Sequence, residues 1–401
     1  MKTRWLLWTS LGAAGTAAAI GGAWMLSLPA AAAHRTPPPV PRDEAEALLA
    51  ALKPSRQQRP VVAVIGINDA TEATDYLMPY GVLRRADVAD VVLLATDSGS
   101  VRLFPALTVQ PDATVADFDA RHPAGADYVI VPAMSRDGDP AVLEWLRSQS
   151  GKGARIIGVC AGAKVVAEAG LLDGRRATTH WYYVRELLDR HPGIRYVPDR
   201  RIVADGGVIT TTGITASMPM ALTLVEAIAG RELAESVGRD IGLPHWHASH
   251  DSEAFQFTRA FAAIAIRNRL LFWNRAELGI ALTPRIDEVS LALVADAWSR
   301  TWRSRAVTFA PTPDPLESRS GVRIVPDRVA ASWPTATSVP AIGSRPAEAL
   351  DGALDAIRGR YGARTAEFVA MQLEYPAATN RSARAHARAT GRAQPIPGDV
   401  R

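Results

Sequence analysis

The sequence predicts an α/β protein: a parallel sheet sandwiched by helices, followed by a second, degenerate α/β half. Three observations predict it. Short apolar runs bounded by polar residues, such as PVVAVIGIND from Pro60 and DYVIVPAM from Asp127, read as strands buried on both faces. Segments of helical periodicity alternate with them, and that alternation implies parallel strands with helices on both sides. The order strand, polar loop, apolar helix, strand then recurs after Leu278.

Lys2 and Arg4 precede an uncharged run from Trp5 to Ala33 that ends in alanines offering small-residue cleavage sites. Residues 1–33 therefore read as an export signal, either a cleaved signal peptide or a retained N-terminal membrane anchor. The run exceeds the about 20 residues a bilayer needs. In either case the positive end stays inside, and the body lies in the periplasm or is anchored in the inner membrane facing it. Residues 34–59 follow as a stiff Pro-rich linker, RTPPPVP, and a short helix, DEAEALLAALKP.

The first domain, residues 60–243, opens with the strand PVVAVIGIND. ATEATDYLMPYGVLRRADV is helical, VADVVLLATDSG and GADYVIVPAM are strands, and DPAVLEWLRSQSGKG is helical. ARIIGVCAG is a strand running into a turn, and AKVVAEAGLLDG is a helix stopped by Gly174. A short extended RRATTHW, a helix YYVRELLDRH, a strand pair RIVADGGVITTTG and a helix ASMPMALTLVEAIAG complete it.

With 48% hydrophobic residues the chain has material for large cores. Its 45 basic and 41 acidic side chains give a net charge of +4 with no basic patch, so no nucleic-acid partner is expected. It has one cysteine, which in an oxidising compartment cannot form an internal disulfide and is either inert or reactive. The strand ending in GVCAGA places Cys160 at a tight strand-to-helix turn flanked by small residues. Such an elbow lifts the side chain above the sheet, and the positive end of the helix that follows favours thiolate over thiol.

The segment GVCAGAKVVAEAGLLDGRRATTHW resembles the ThiJ/PfpI (DJ-1-like) superfamily of the class I glutamine-amidotransferase-like fold, whose sheet is flavodoxin-like. It is most similar to the amidase-type sensor domains of AraC-type regulators, and the resemblance runs from about Val61 to Leu243. It implies that Cys160 is paired with an acidic residue of the first helix, here Asp75, and that His180 orients or deprotonates the thiol. It also implies backbone oxyanion donors at Ala133 and Ala161. Ala161 stands where protease-like members carry a His, which argues against peptidase activity. Ala133 and Met134 replace the glycines that relatives carry after the strand proline. The resemblance implies no cofactor and a small-molecule partner: an exported hydrolase-, hydratase- or amidase-like enzyme acting on a small carbonyl, amide or isonitrile-like substrate. The alternative is a non-catalytic periplasmic redox or metabolite sensor. A transcriptional regulator is a third idea, opposed by the export segment and by the absence of an evident helix-turn-helix after residue 240.

Residues 244–376 form the second domain. LGIALTPRIDEVSLALVADAWSRTWRSRAVTFAP parallels VAVIGINDATEATDYLMPYGVLRRADVADVVLLAT, and SRSGVRIVPDRVAAS parallels SGSVRLFPALTVQPD. Ser290 then matches Asp75 and nothing matches the cysteine, so the copy is catalytically empty. The helix EALDGALDAIRGRYG and the segment TAEFVAMQLEYP complete a partial sheet, and residues 377–401 form a disordered basic tail. A tethered copy allows an intramolecular pseudo-dimer in place of a homodimer. Between the halves, His245, His247 and His250 with Asp251 could in principle bind zinc or copper, but a spacing without Cys or a Glu-bearing helix is a weak signal, and a surface loop without metal is expected. The apolar helix with Phe255, Phe257, Phe261, Leu270, Leu271, Phe272 and Trp273 reads as interdomain core.

Overall fold

The computed structural model describes residue 16, residues 19–30, 32, 35–54, 58–343 and 345–376. The disordered tail expected at 377–401 and most of the apolar N-terminal run lie outside the described residues. Residues 19–27 are helical, and no helix among the described residues is long and apolar enough to cross a membrane.

After helix α1 (Arg42–Leu52), the first half runs β1 (Val61–Gly66), β2 (Asp69–Glu72), α2 (Ala73–Ala86), β3 (Asp90–Ala95), β4 (Val101–Phe104), β5 (Thr108–Gln110), β6 (Ala113–Thr114), α3 (Val115–Arg121), β7 (Tyr128–Val131) and α4 (Pro140–Gly151). It continues through β8 (Arg155–Gly158), α5 (Gly162–Glu168), β9 (Arg176–Ala177), α6 (Val184–Arg190), β10 (Arg195–Tyr196), β11 (Ile202–Asp205), β12 (Val208–Thr211), α7 (Ser217–Ala229) and α8 (Arg231–Asp240). The central sheet has the order β11-β12-β8-β7-β1-β3-β6 and is parallel except where β11 returns antiparallel to β12.

Because strand side chains alternate between faces, each strand feeds two cores. Val62, Val64, Tyr128, Ile130 and Ile157 join the core under α1, α2, α7 and the second half. Ala63, Ile65, Val129, Val131 and Ile156 join the one under α3, α4 and α5.

The second half runs α9 (Arg259–Leu270), β13 (Ala276–Ala281), α10 (Glu288–Ser299), β14 (Ser304–Ala310), β15 (Leu316–Glu317), β16 (Arg323–Val325), β17 (Arg328–Val329), α11 (Pro346–Tyr361) and α12 (Ala363–Gln372). It is also α/β. Its parallel sheet β13-β14-β17 has the connectivity of β1-β3-β6, with Ala276 to Ala281 registered on Ser304 to Phe309. Among the described residues the copy has no counterparts of β7 and β8, and so no strand to carry an elbow.

The halves are joined more closely than the repeat alone suggests. A five-stranded sheet, β15-β16-β5-β4-β2, takes strands from both. Helices α2 and α10 pack directly on each other at Gly81, where a β-carbon would fall 2.4 Å from Val289 Cγ2. Burial against the sheet on one side and α10 on the other leaves even Thr74 and Asp75 of α2 without exposure.

Two sequence expectations are corrected here. TAEFVAMQLEYP adds no strand; most of it lies in α12, which follows α11 after the single Gly362 and turns Phe368 and Val369 into the core. Phe261 does pack between the halves, 5.5 Å from the Trp181 ring and 4.8 Å from the Phe368 ring. Leu270 and Trp273, in contrast, are 61% and 70% exposed and belong to no core. The helix ends at Leu270, and its last turn carries Arg267 and Arg269.

Candidate active site

Strand β8 ends at Gly158, and the chain turns through Val159 and Cys160 before α5 begins at Gly162. Cys160 has φ 55°, a left-handed conformation that costs a non-glycine residue free energy and persists where its surroundings fix it. Here they do. The Cys160 N–H donates to Thr211 Oγ1 at 3.1 Å, and its carbonyl accepts from Thr179 Oγ1 at 2.9 Å. Gly162 lets α5 start against the neighbouring strand, since a β-carbon there would sit 1.9 Å from the Val131 carbonyl oxygen. The sharp turn expected from GVCAGA is therefore present.

The charge state expected of the thiol is not. Cys160 is 4% exposed. Burial first, then the charges of Asp75, Glu72 and Glu374, push the thiol well above its ordinary range, opposed by the Ala161 N–H that donates to it. The positive end of a short helix does not outweigh desolvation plus the acidic side chains around the thiol.

Asp75 lies in the first turn of α2 and is fully buried. Its Oδ2 accepts the Ala133 N–H at 3.2 Å, and its Oδ1 has no partner. Burial, followed by the nearby Glu72, raises its pKa well above the usual carboxylate range and so favours the protonated form. The Ala133 amide expected to serve an oxyanion is thus already bonded to the acid. Glu72, immediately before α2, receives Arg300 Nη2 at 2.9 Å, and Arg300 Nε reaches Asp296 Oδ1 at 2.6 Å. Burial raises Glu72 against the pull of Arg300 and lifts Asp296 to about 8. Burial disfavours the Arg300 charge, yet Asp296 and Glu72 hold its pKa above the ordinary value.

His180 sits where both ring nitrogens are engaged. Nδ1 accepts the Tyr182 N–H at 3.2 Å, and Nε2 lies 2.9 Å from the Gln372 carbonyl oxygen. This fixes the tautomer with the proton on Nε2 and leaves no lone pair to take the thiol proton, so the expected base is held as a structural group. Burial also lowers its pKa, against the raising effect of Glu374. Glu374 is 1% exposed and comes from the end of the second half. Its Oε1 accepts the Trp181 N–H at 2.6 Å, its Oε2 the Gly213 N–H at 2.7 Å, and His250 Nε2 is 3.6 Å away. Burial opposes ionisation, but the two histidines and the two amides outweigh it and lower its pKa.

Sequence reasoning missed Glu72, Asp296, Arg300 and Glu374. Only the repeat carried a signal: Arg300 follows Ser290 by ten residues (300 − 290), as Arg85 follows Asp75 (85 − 75). The expected loop of histidines divides. His245 and His247 are exposed, while His250 is 3% exposed and stacks on Phe255 with centroids 5.3 Å apart. Among the described residues no group of three His, Cys, Asp or Glu side chains is placed to hold a metal ion.

Comparisons with known proteins agree on the first half. The DJ-1/PfpI family profile matches residues 61–227. HTH-type transcriptional regulator CdhR of Pseudomonas aeruginosa is 29% identical over 238 residues, 58% of this chain and 66% of the regulator. The Parkinson disease protein 7 homolog of Danio rerio is 29% identical over 181 residues, 44% of this chain and 93% of that protein. The crystal structure of Drosophila melanogaster DJ-1beta superposes with a TM-score of 0.42 at 25% identity, covering 47% of this chain and 100% of that one. Isonitrile hydratase of Pseudomonas putida is 34% identical over 168 residues, 41% of this chain and 70% of the hydratase. A profile match from β1 into α7, together with this identity across most of the hydratase, establishes that the chain belongs to the DJ-1/PfpI family.

Proposed function

We propose that the protein is a cysteine-dependent hydratase or hydrolase of small molecules, with Cys160 as nucleophile and Asp75 as the group that moves the proton. One observation carries this reading: a thiol held at φ 55° is electrostatically coupled to a fully buried carboxyl whose Oδ1 has no partner and whose protonated form burial favours.

Isonitrile hydration, the reaction named for the Pseudomonas putida relative, suits a neutral acid beside a neutral thiol. The Asp75 acid gives its proton to the terminal carbon of R–N≡C. The Cys160 sulfur bonds to that carbon and the thiol proton passes to the Asp75 carboxylate, leaving R–N=CH–S–Cys. Water then adds across the C=N bond, its hydroxyl to carbon and its proton to nitrogen. The C–S bond breaks as the hydroxyl proton goes to sulfur, and R–NH–CHO leaves. Neither step needs a resting thiolate or His180 as base.

A second reading, a non-catalytic redox or metabolite sensor, is favoured by the Ala133 N–H, which Asp75 occupies and an acyl-transfer oxyanion would need. A transcriptional regulator is favoured less, since no nucleic-acid-binding domain is evident among the described residues. We also place the protein outside the cytoplasm, periplasmic or anchored through residues 5–33, on the strength of Lys2 and Arg4 ahead of the uncharged run.

The test incubates the full chain with simple alkyl isonitriles and small amides and follows product by NMR, beside iodoacetamide alkylation of Cys160 across pH. Turnover lost by about hundredfold or more in Cys160→Ala and Asp75→Asn, with a thiol titrating above the free value of about 8.5, is the expected result. A folded thiol that alkylates without any turnover favours the sensor. A thiol that reacts only on unfolding defeats both readings.

A further inference from the structure

The repeat relates two sites. Asp287 caps α10 as Glu72 stands before α2, and Ser290 occupies the helix position of Asp75. Arg85 of α2 crosses to ion-pair with Asp287, as Arg300 crosses from the end of α10 to Glu72. Each half thus lends an arginine to the other half's site. The first site is nearly closed around Cys160. Its counterpart lacks the cysteine strand and the Asp75 carboxylate, and Arg85, which pairs with Asp287 there, also lines a cavity of about 320 Å³.

The lining of that cavity has changed sign. Arg84, Arg85, Arg285 and Arg319 face it, with Glu317 the only acid among the lining residues. Arg85, 4% exposed, stands in the wall of the cavity, and its buried Nε has no hydrogen-bond partner. The balancing acids lie behind the arginines. Asp240 is 3.4 Å from Arg85 and 3.2 Å from Arg319, Asp287 holds Arg85 from within, and Glu288 accepts the Ser320 N–H at 3.2 Å. Among the described contacts neither Arg84 nor Arg285 has an ion pair.

We infer that the vacated site of the second half is a binding site for a small polyanion, its oxyanion groups taken by the guanidinium forks of Arg84, Arg85, Arg285 and Arg319. Planar guanidinium groups bind phosphate and carboxylate oxygens in pairs, and a concave setting strengthens such contacts over those on an open face. The Cys160 chemistry plays no part in this binding, so either can fail without the other.

The experiment is isothermal titration calorimetry of the full chain with pyrophosphate and, separately, citrate, at fixed ionic strength. Saturable binding of one anion per chain is expected. It should weaken at least tenfold in the Arg285→Gln/Arg319→Gln double variant and tighten in Glu317→Gln, where the one lining acid loses its repulsion. The tighter of the two anions tells whether phosphoryl or carboxylate groups are the natural ligand. The exposed Arg102 of β4, paired with Asp69 of β2, supplies the control. An Arg102→Gln variant that weakens binding equally would reduce the effect to general charge and overturn the inference. Binding that never saturates, or that the double variant leaves unchanged while its unfolding midpoint stays wild-type, also overturns it.

Discussion

Arg300, at the end of α10 in the second half, reaches Glu72 Oε2 at 2.9 Å, three residues before the Asp75 acid in the first. The pair crosses from one half to the other inside a nearly dry volume, where Glu72 is 7% exposed and Asp296 not at all. One cation therefore serves two buried carboxyl groups beside a third.

Removing that cation takes away the counter-charge of both acids and leaves Glu72 only the Thr74 hydroxyl as a donor. Arg300→Met, which keeps most of the side-chain volume, is expected to lower stability by about 3–5 kcal/mol, the usual cost of breaking a buried pair from one side. The measurement is a urea unfolding midpoint at pH 7, with Glu72→Gln/Arg300→Met beside it. Removing both partners should recover part of the loss, because a neutral amide is cheaper to bury than a carboxylate. A single variant as stable as the parent would mean that water reaches these acids.

The pH dependence follows from Asp296. Its folded pKa is raised to about 8, against about 3.9 in an unfolded chain. Between those values the folded state holds a proton that the unfolded state has released, so folding stability falls as pH rises. The contribution is fully present below about pH 4 and lost by about pH 8, with a slope approaching 1.4 kcal/mol per pH unit in between. Asp296→Asn should flatten the stability curve across that window. Unfolding free energies measured at half-unit steps from pH 5 to 8 test this, and an unchanged slope in the variant would place the titration elsewhere.

The sequence was most legible where chain-local chemistry decides the structure. Apolar runs announced β1, β3, β7 and β8, and the small residues around Cys160 announced the elbow, because strand burial and turn sterics act over a few residues. It was least legible in electrostatics. Whether Cys160 is acidic or suppressed depends on Asp75, Glu72 and Glu374, the last more than 200 residues away in sequence, and no local pattern encodes that approach. His180 shows the same limit: its position in the motif suggested a base, while its partner at Gln372 lies in a helix that the sequence reading took for part of a sheet.

The packing of α2 on α10 gives the last test, and it concerns whether the two halves act as one unit. A β-carbon at Gly81 would meet Val289 Cγ2 at 2.4 Å and Glu288 Oε1 at 2.6 Å, too close for those side chains to stay where they are. Gly81→Ala should therefore destabilise by about 1–3 kcal/mol, the common cost of overpacking, although alanine is the better helix former. Val289→Ala alone should also destabilise, by opening a cavity where Val289 is now fully buried. Together, the smaller Val289 side chain makes room for the new methyl, so the double variant should be more stable than the sum of the two losses. A double-mutant cycle on urea midpoints measures that coupling. Simple additivity would mean that the two helices do not share this contact in solution, and that Arg300 and Glu374 are free to leave the Cys160 site with the second half.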